Sequence, residues 1–288
     1  MSKPKILVQL DTDSQPSVFD GVVAVDAGVE HLFRHSDITP ENVRDRVHGA
    51  IFTRGTDDLK STALFIGGSD VTLGEAVLKA VKKAFFGPMR VSVLLDSNGA
   101  NTTAVAAVLA ARKHLNLAKT TALVLGGTGP VGRRVARLLA REGAMVRVAS
   151  RDVARAESVC RDVAAILPEA KLTAHAVGDT TAAEKALIDC ELVIAAGAAG
   201  VELLSADGRR NCASLRVAID LNAVPPAGIG GIEPFDKATD HSGVFGYGAI
   251  GVGGAKMKLH KAAIQKLFER NDVVLDADEL YELGKSLS

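Results

Sequence analysis

A two-domain α/β fold, each domain built on a mostly parallel sheet, is what this sequence predicts, and three observations lead there. The chain has 288 residues, about twice a usual domain of roughly 100–200. Hydrophobic residues make up 47% and charged residues 24%, which fills a core and leaves a solvated surface. Short apolar, β-branched runs alternate with longer stretches of helical period. That alternation marks βαβ units whose strands are covered on both faces.

In chain order, residues 6–10, 62–66 and 91–95 read as strands of the first domain, and 17–27, 40–49 and 71–85 as its helices. In the last helix Leu73, Ala76, Val77, Ala80, Val81 and Ala84 follow a 3.6-residue period, with Lys79, Lys82 and Lys83 facing out. A helix over 102–114 opens a second series, with strands at 121–125, 146–149, 172–176, 192–195 and 216–219. The glycine-rich segment 243–254 reads as a loop, followed by helices over 255–269 and 276–285. The expected domains are 1–102, completed by 255–288, and 103–254. Returning the terminal helices to the first domain would close a cleft between the two.

Composition removes several function classes. Thirty-four Lys and Arg balance thirty-four Asp and Glu, which argues against a nucleic-acid-binding surface. Aromatic residues are 4% with no Trp, a poor basis for stacking bases. Cys160, Cys190 and Cys212 are odd in number and far apart, and the histidines lack metal-ligand spacing. Neither a disulfide framework nor a metal site is expected. The N-terminus lacks the apolar core of a signal peptide. No stretch approaches the ~20 apolar residues of a membrane span; the run over 104–111 ends at Arg112, Lys113 and His114. The expectation is a reduced, cytoplasmic protein.

The strongest local signal is Gly127-Thr128-Gly129-Pro130-Val131-Gly132, a GxGxxG between a strand and a helix over 131–142. Alone the motif is weak; between a strand and a helix it marks dinucleotide binding, and the second domain reads as Rossmann-type. The first glycine allows the tight turn, the second lets backbone approach a pyrophosphate, and the third lets helix and strand pack. The helix start then favours the anion. Pro130 fits the first turn. After the next strand, Ser150, Arg151 and Arg155 replace the acid that would bind a ribose 2′-hydroxyl. A hydroxyl and two guanidinium groups suit a 2′-phosphate, so NADP is expected before NAD. Asp152 reads as the cap of the helix starting at Val153. Ala196 and Gly197 follow one later strand and Asn222 another, both places where such sheets bind ligands.

Several segments together resemble a known family: Gln9-Leu-Asp-Thr-Asp13, Pro16-Ser-Val-Phe-Asp20, Asp96-Ser-Asn98-Gly-Ala-Asn101-Thr-Thr103, Gly126 to Gly132, Asn222 to Ile232 and Gly248 to His260. They are similar to the NAD(P)-dependent methylene-tetrahydromethanopterin dehydrogenases of bacterial one-carbon metabolism, along nearly the whole chain. The resemblance implies NADP-dependent oxidation of methylene-tetrahydromethanopterin, with methylene-tetrahydrofolate accepted by some members. It also implies a homo-oligomer, expected as a trimer.

In that setting Gln9 and Asp20 are expected to hold the amide and amino edge of the pterin, since a carboxylate accepts from paired donors. Asn98 and Asn101 carry donor and acceptor groups suited to a ring or carboxamide, while Asn101 also reads as an N-cap. Lys256 is expected to act in catalysis. It follows close-packing glycines and is read at a helix start, where a cation is unfavourable. Three alternatives stand beside this reading. A methylene-tetrahydrofolate dehydrogenase shares the plan. A shikimate-type dehydrogenase would want a Lys/Asp pair; Lys60 lies near Asp57 and Asp58, but the surrounding motifs do not match. A non-catalytic NADP(H) sensor would keep the glycine loop and Arg151 and lose the substrate residues.

Overall fold

The computed structural model describes residues 3–287. In chain order the first elements are β1 (Ile6–Asp11), α1 (Val18–Asp26), β2 (His31–His35), α2 (Val43–Ile51), β3 (Thr62–Gly67), α3 (Val71–Ala84), β4 (Ser92–Leu95) and α4 (Ala100–Arg112). Then come β5 (Thr121–Leu125), α5 (Pro130–Arg141), β6 (Met145–Ser150), α6 (Val153–Ile166), β7 (Lys171–Ala176), α7 (Thr180–Leu187), β8 (Leu192–Ala195), α8 (Ala206–Asn211) and β9 (Val217–Asp220). The last are β10 (Lys237–Asp240), β11 (Phe245–Tyr247), α9 (Ala249–Lys266), β12 (Val274–Leu275) and α10 (Ala277–Ser286). Two compact units result: the described residues up to Thr102 with Met257–Leu287, and Thr103–Lys256.

The first unit carries a five-stranded sheet in the order β12-β4-β3-β1-β2, with every neighbouring pair parallel. β3 and β4 are buried along their whole length, as continuous apolar runs between two helical layers should be. Leu10, Leu64, Ile66 and Val93 pack there with Val47 and Ile51 of α2 and Val77 and Val81 of α3. Polar caps set the helix starts. Ser17 Oγ accepts from Asp20 N–H at 3.3 Å, and Asp70 Oδ1 from Leu73 N–H at 3.0 Å. Asp276 and Glu279 form a capping box on α10.

The second unit carries seven strands in the order β10-β11-β9-β8-β5-β6-β7. Only β10 runs antiparallel to its neighbour. Leu123, Leu125, Val193, Ala195 and Ala218 bury one face beneath Leu187, Leu204 and Ile229. α6 starts at an Asp152 cap, as its sequence position implies, with the carboxylate accepting from Ala154 N–H at 2.9 Å.

Three readings change. The glycine-rich segment read as a loop holds β11 and the start of α9, which begins at Ala249 rather than 255. The glycines there permit contact, not disorder: a Cβ on Gly251 would overlap the Asp236 carbonyl, with that carbon at 2.7 Å, and one on Gly248 would lie 2.5 Å from the Pro234 carbonyl carbon. Asn101 does not cap α4, which already starts at Ala100. Asp96 does that work, accepting from the N–H groups of Asn101 and Thr102 at 3.0 Å each. β2, β10, β11 and β12 carry too little apolar patterning to be read as strands; β2 is paired on one side only and largely exposed.

Because the start of α9 rests on bare backbone, Gly251→Ala is expected to lower unfolding free energy by about 1–3 kcal/mol. Urea titration against the parent protein measures it.

Candidate functional site

In the second unit the strand order reverses around β5: the chain runs from β5 to β6 and β7 on one side, then returns to β8 and β9 on the other. Open α/β sheets bind ligands beyond the strand ends at such a reversal. Here the loops after β5 and β8 meet. Gly126 has φ +68, a left-handed conformation favoured by glycine, and a Cβ on it would lie 2.5 Å from Gly197 Cα. Gly129 N–H closes the turn on Gly126 O at 3.0 Å. A Cβ on Gly132 would lie 2.8 Å from Gly127 Cα, so α5 packs directly on the loop. The turn glycine is therefore Gly126 rather than Gly127, whose added Cβ would strike Val148 of β6 at 2.7 Å. Gly129 differs: nothing in the protein comes within 3.4 Å of a Cβ there, and its φ of −74 suits any residue. Internal packing leaves that glycine unexplained, whereas close approach of a ligand explains it.

A cavity of about 570 Å³ opens at this place. Thr128, Gly129 and Pro130 line it from the glycine loop, Ser150, Arg151 and Arg155 from the end of β6 and the start of α6, and Ala196 and Gly197 from the end of β8. Thr128 Oγ1 and Ser150 Oγ stand 3.4 Å apart. Arg151 and Arg155 are both exposed. Asp152 also borders the cavity, with its carboxylate engaged in the α6 cap. The cradle, the helix start and the two guanidinium groups together fit a phosphorylated dinucleotide.

Four residues assigned to the cofactor do not line the cavity: Gly127, Val131, Gly132 and Asn222. Gly127 and Gly132 pack behind the loop. Asn222 folds its own turn, donating Nδ2–H to Pro226 O and accepting from Val224 N–H, both at 2.9 Å. Asp220 beneath it is buried and accepts from the N–H groups of Asn222 and Ile229 at 3.0 and 3.1 Å. Burial pushes its carboxyl up, and those N–H groups oppose the shift. Conversely, Val177, Gly178 and Asp179 after β7, and Val201, Glu202 and Leu203 after β8, line the cavity and were not read. Their signal was positional, since they follow strands next to β6 and β5.

In the first unit Gln9 lies in β1 and is 1% exposed. Its amide is engaged inside the protein, with Nε2 toward Asp11 Oδ2 at 3.3 Å and the Ser17 carbonyl at 3.4 Å. Asn101 is equally buried, with Nδ2 donating to Leu95 O at 2.6 Å and Asp276 Oδ1 at 3.0 Å. Both amides are thus engaged in internal hydrogen bonds that hold local structure. Asn98 is exposed and left-handed at φ 54, with its N–H on Gly68 O at 2.7 Å. Asp20 is half-buried in the first turn of α1, and a Cβ on Gly67 would lie 3.6 Å from its Oδ2. Lys256 is half-buried and sits seven residues after the first of α9, not at its start. The unfavourable dipole position invoked for it does not exist.

No three or more His, Cys, Asp or Glu among the described residues are grouped to hold a metal ion. None of the described helices is long and apolar enough to cross a membrane. All three cysteines are free. Cys190 follows α7 and is fully buried, with its Sγ 3.6 Å from Ala186 O. Burial pushes its thiol up to about 12. Thiol-specific reagent at pH 8 is expected to leave Cys190 unmodified in the native protein and to label it in denaturant, as peptide mapping would show.

Comparison with known proteins agrees with the family read from the motifs. The N-terminal family model of methylene-tetrahydromethanopterin dehydrogenase matches residues 18–98, and that of the NAD dependent epimerase/dehydratase family matches 122–225. The chain is 46% identical to the "Bifunctional protein MdtA" of Methylorubrum extorquens, over the whole of both chains. It is 31% identical, over 98% of both, to the NAD(P)-dependent methylenetetrahydromethanopterin dehydrogenase of the same organism. Among solved structures, ligand-free 5-ketofructose reductase of Gluconobacter sp. aligns with a TM-score of 0.52 at 15% identity, over 99% of both chains. Quinate dehydrogenase from Corynebacterium glutamicum, in complex with NAD, aligns at 0.50 and 14%, over 98% of this chain and 99% of its own. At such identities these two show the fold alone.

Proposed function

The chain belongs to the methylene-tetrahydromethanopterin dehydrogenase family, and from that premise we propose that it oxidises 5,10-methylene-tetrahydromethanopterin to the methenyl form, with NADP as acceptor, in cytoplasmic one-carbon metabolism. The observation that carries the cofactor half is the cavity in which Gly129 and the start of α5 share one space with Ser150, Arg151 and Arg155. A relative with 31% identity is named for NAD(P)-dependent action on this carrier, which supports the substrate half. A homo-oligomer, trimeric by the resemblance, is the assembly proposed; sedimentation analysis tests it.

Removing hydride from an N–CH2–N carbon needs little acid–base help, because the flanking nitrogen lone pairs stabilise the cation left behind. NADP, when bound, supplies the acceptor carbon. The protein's task is then positioning, with the reacting carbons held about 3–3.5 Å apart. The glycine loop takes the pyrophosphate, while Ser150, Arg151 and Arg155 take the 2′-phosphate through charge-assisted hydrogen bonds. Asp20 accepts from the amino and amide edge of the pterin, and Asn98 offers an exposed amide beside it. Lys256 orients the carrier from α9.

Absorbance of NADPH, followed with purified protein and each methylene carrier, tests the reading directly. Formation of NADPH with methylene-tetrahydromethanopterin supports it; turnover of methylene-tetrahydrofolate alone would move the assignment to the folate carrier. NADP binding without turnover of either carrier would favour the sensor. Arg151→Ala is expected to weaken NADP by about 1.5–3 kcal/mol, roughly 10- to 150-fold, and to spare NAD. Titration calorimetry with both nucleotides reads this, and equal losses would contradict the assignment. Lys256→Ala is expected to lower kcat while the Kd for NADP holds; unchanged kinetics would return Lys256 to the surface.

A further inference from the structure

The strand order of the first unit also reverses, between β1, which leads outward to β2, and β3 on its other side. The crevice favoured for ligands therefore lies beyond the ends of β1 and β3. Two loops meet there. Asp13, after β1, accepts at Oδ2 from Ser69 N–H at 3.0 Å and at Oδ1 from Ser69 Oγ–H at 2.8 Å, after β3. Two carboxylates converge on the same edge: a Cβ on Gly67 would lie 3.1 Å from Asp11 Oδ2 and 3.6 Å from Asp20 Oδ2.

A relay of side chains fixes this edge, and neither the sequence motifs nor the mechanism above assigns its origin. Arg34, in β2, donates through Nε to Gln9 Oε1 at 3.1 Å and through Nη2 to the Pro16 carbonyl. Gln9 Nε2 faces two acceptors, Asp11 Oδ2 and the Ser17 carbonyl. That sets the direction of the amide, because its oxygen would repel both, and the oxygen then requires a donor on its far side. Arg34 is that donor. Asp11, fully buried, accepts from Ser17 N–H and Asp13 N–H at 3.0 Å each. Ser17 Oγ finally caps α1 through Asp20 N–H. The planar guanidinium suits the job because its fork reaches two acceptors seven residues apart in one geometry, which an ammonium does not reproduce.

We propose that Arg34 is a positioning residue for the one-carbon carrier: by holding Gln9 and Pro16 together it sets the turn from β1 into α1, and with it the place of Asp20. The inference rests on the reading above in which Asp20 binds the carrier. Arg34→Met keeps the aliphatic stem and removes the donors. Its KM for the methylene carrier is expected to rise about tenfold, the worth of one hydrogen bond to a charged group, with the KM for NADP within twofold of the parent. Hydrogen exchange of residues 12–20 is expected to quicken while that of the second unit stays unchanged. Arg34→Lys is expected to recover less than half of the loss.

An unchanged carrier KM with unchanged exchange over 12–20 would overturn the proposal. Equal rises in both KM values with a general loss of protection would also overturn it, since that marks a merely structural role. Full recovery by Arg34→Lys would overturn the fork geometry. If the unaltered protein turns over no carrier, the functional reading fails by itself, and the exchange measurement still decides whether Arg34 holds the turn.

Discussion

Backbone laid on backbone, with no side chain between, is the contact on which the cofactor side of this protein depends. Gly126 lies against Gly197, and Gly132 against the Gly126–Gly127 turn. Each contact brings two chain segments closer than any Cβ would allow, and the helix that follows then starts at the cavity. Pyrophosphate recognition by N–H groups is a matter of position within tenths of an ångström. The same device recurs where Gly248 and Gly251 seat α9 on the 233–236 turn. Glycine acts in both places as a spacer of zero thickness, which is different from its role as a flexible joint.

In the first unit the organising interactions are hydrogen bonds to buried carboxylates. Asp11 and Asp96 sit at the ends of β1 and just beyond β4, each fully or almost fully buried. Each gathers backbone N–H groups of the segment that follows, Asp11 from residues 13 and 17 and Asp96 from 101 and 102. A charged acceptor with several donors is worth more than neutral pairs. Removing one would leave several donors unsatisfied in the interior. These residues therefore shape the loops after β1 and β4 from within, which separates them from exposed neighbours such as Asn98.

The sequence made legible whatever depends on local pattern. The glycine loop, its flanking strand and helix, and the cap at Asp152 were all readable because turn geometry, period and capping act within a few residues. Ser150, Arg151 and Arg155 were found at the cavity for the same reason: they occupy a fixed offset from a strand end. What escaped depends on distant partners. The amide of Gln9 looked free to meet a ligand, yet Arg34, 25 residues away, takes its oxygen. Asn101 looked like a cap, yet it reaches Asp276, 175 residues on. The start of α9 was hidden because glycine count signals a loop, and only contact with residues 233–236 reveals a helix. Lys256 was consequently misplaced relative to its helix, while Val177 to Asp179 carry no motif of their own and reach the cavity only because β7 lies beside β6.

The first unit is discontinuous: β12 pairs with β4, Ser92 Oγ–H donates to the Arg270 carbonyl, and Asn101 to Asp276. A ribosome releases the N-terminal portion long before residues 270–276 exist. The exposed flank of β4 must meanwhile wait without its neighbour, an open edge of the kind that invites mispairing between nascent chains. The second unit, being contiguous, has no such delay. The later-made half can therefore settle as one continuous piece, whereas the earlier one is completed only by its own distant tail.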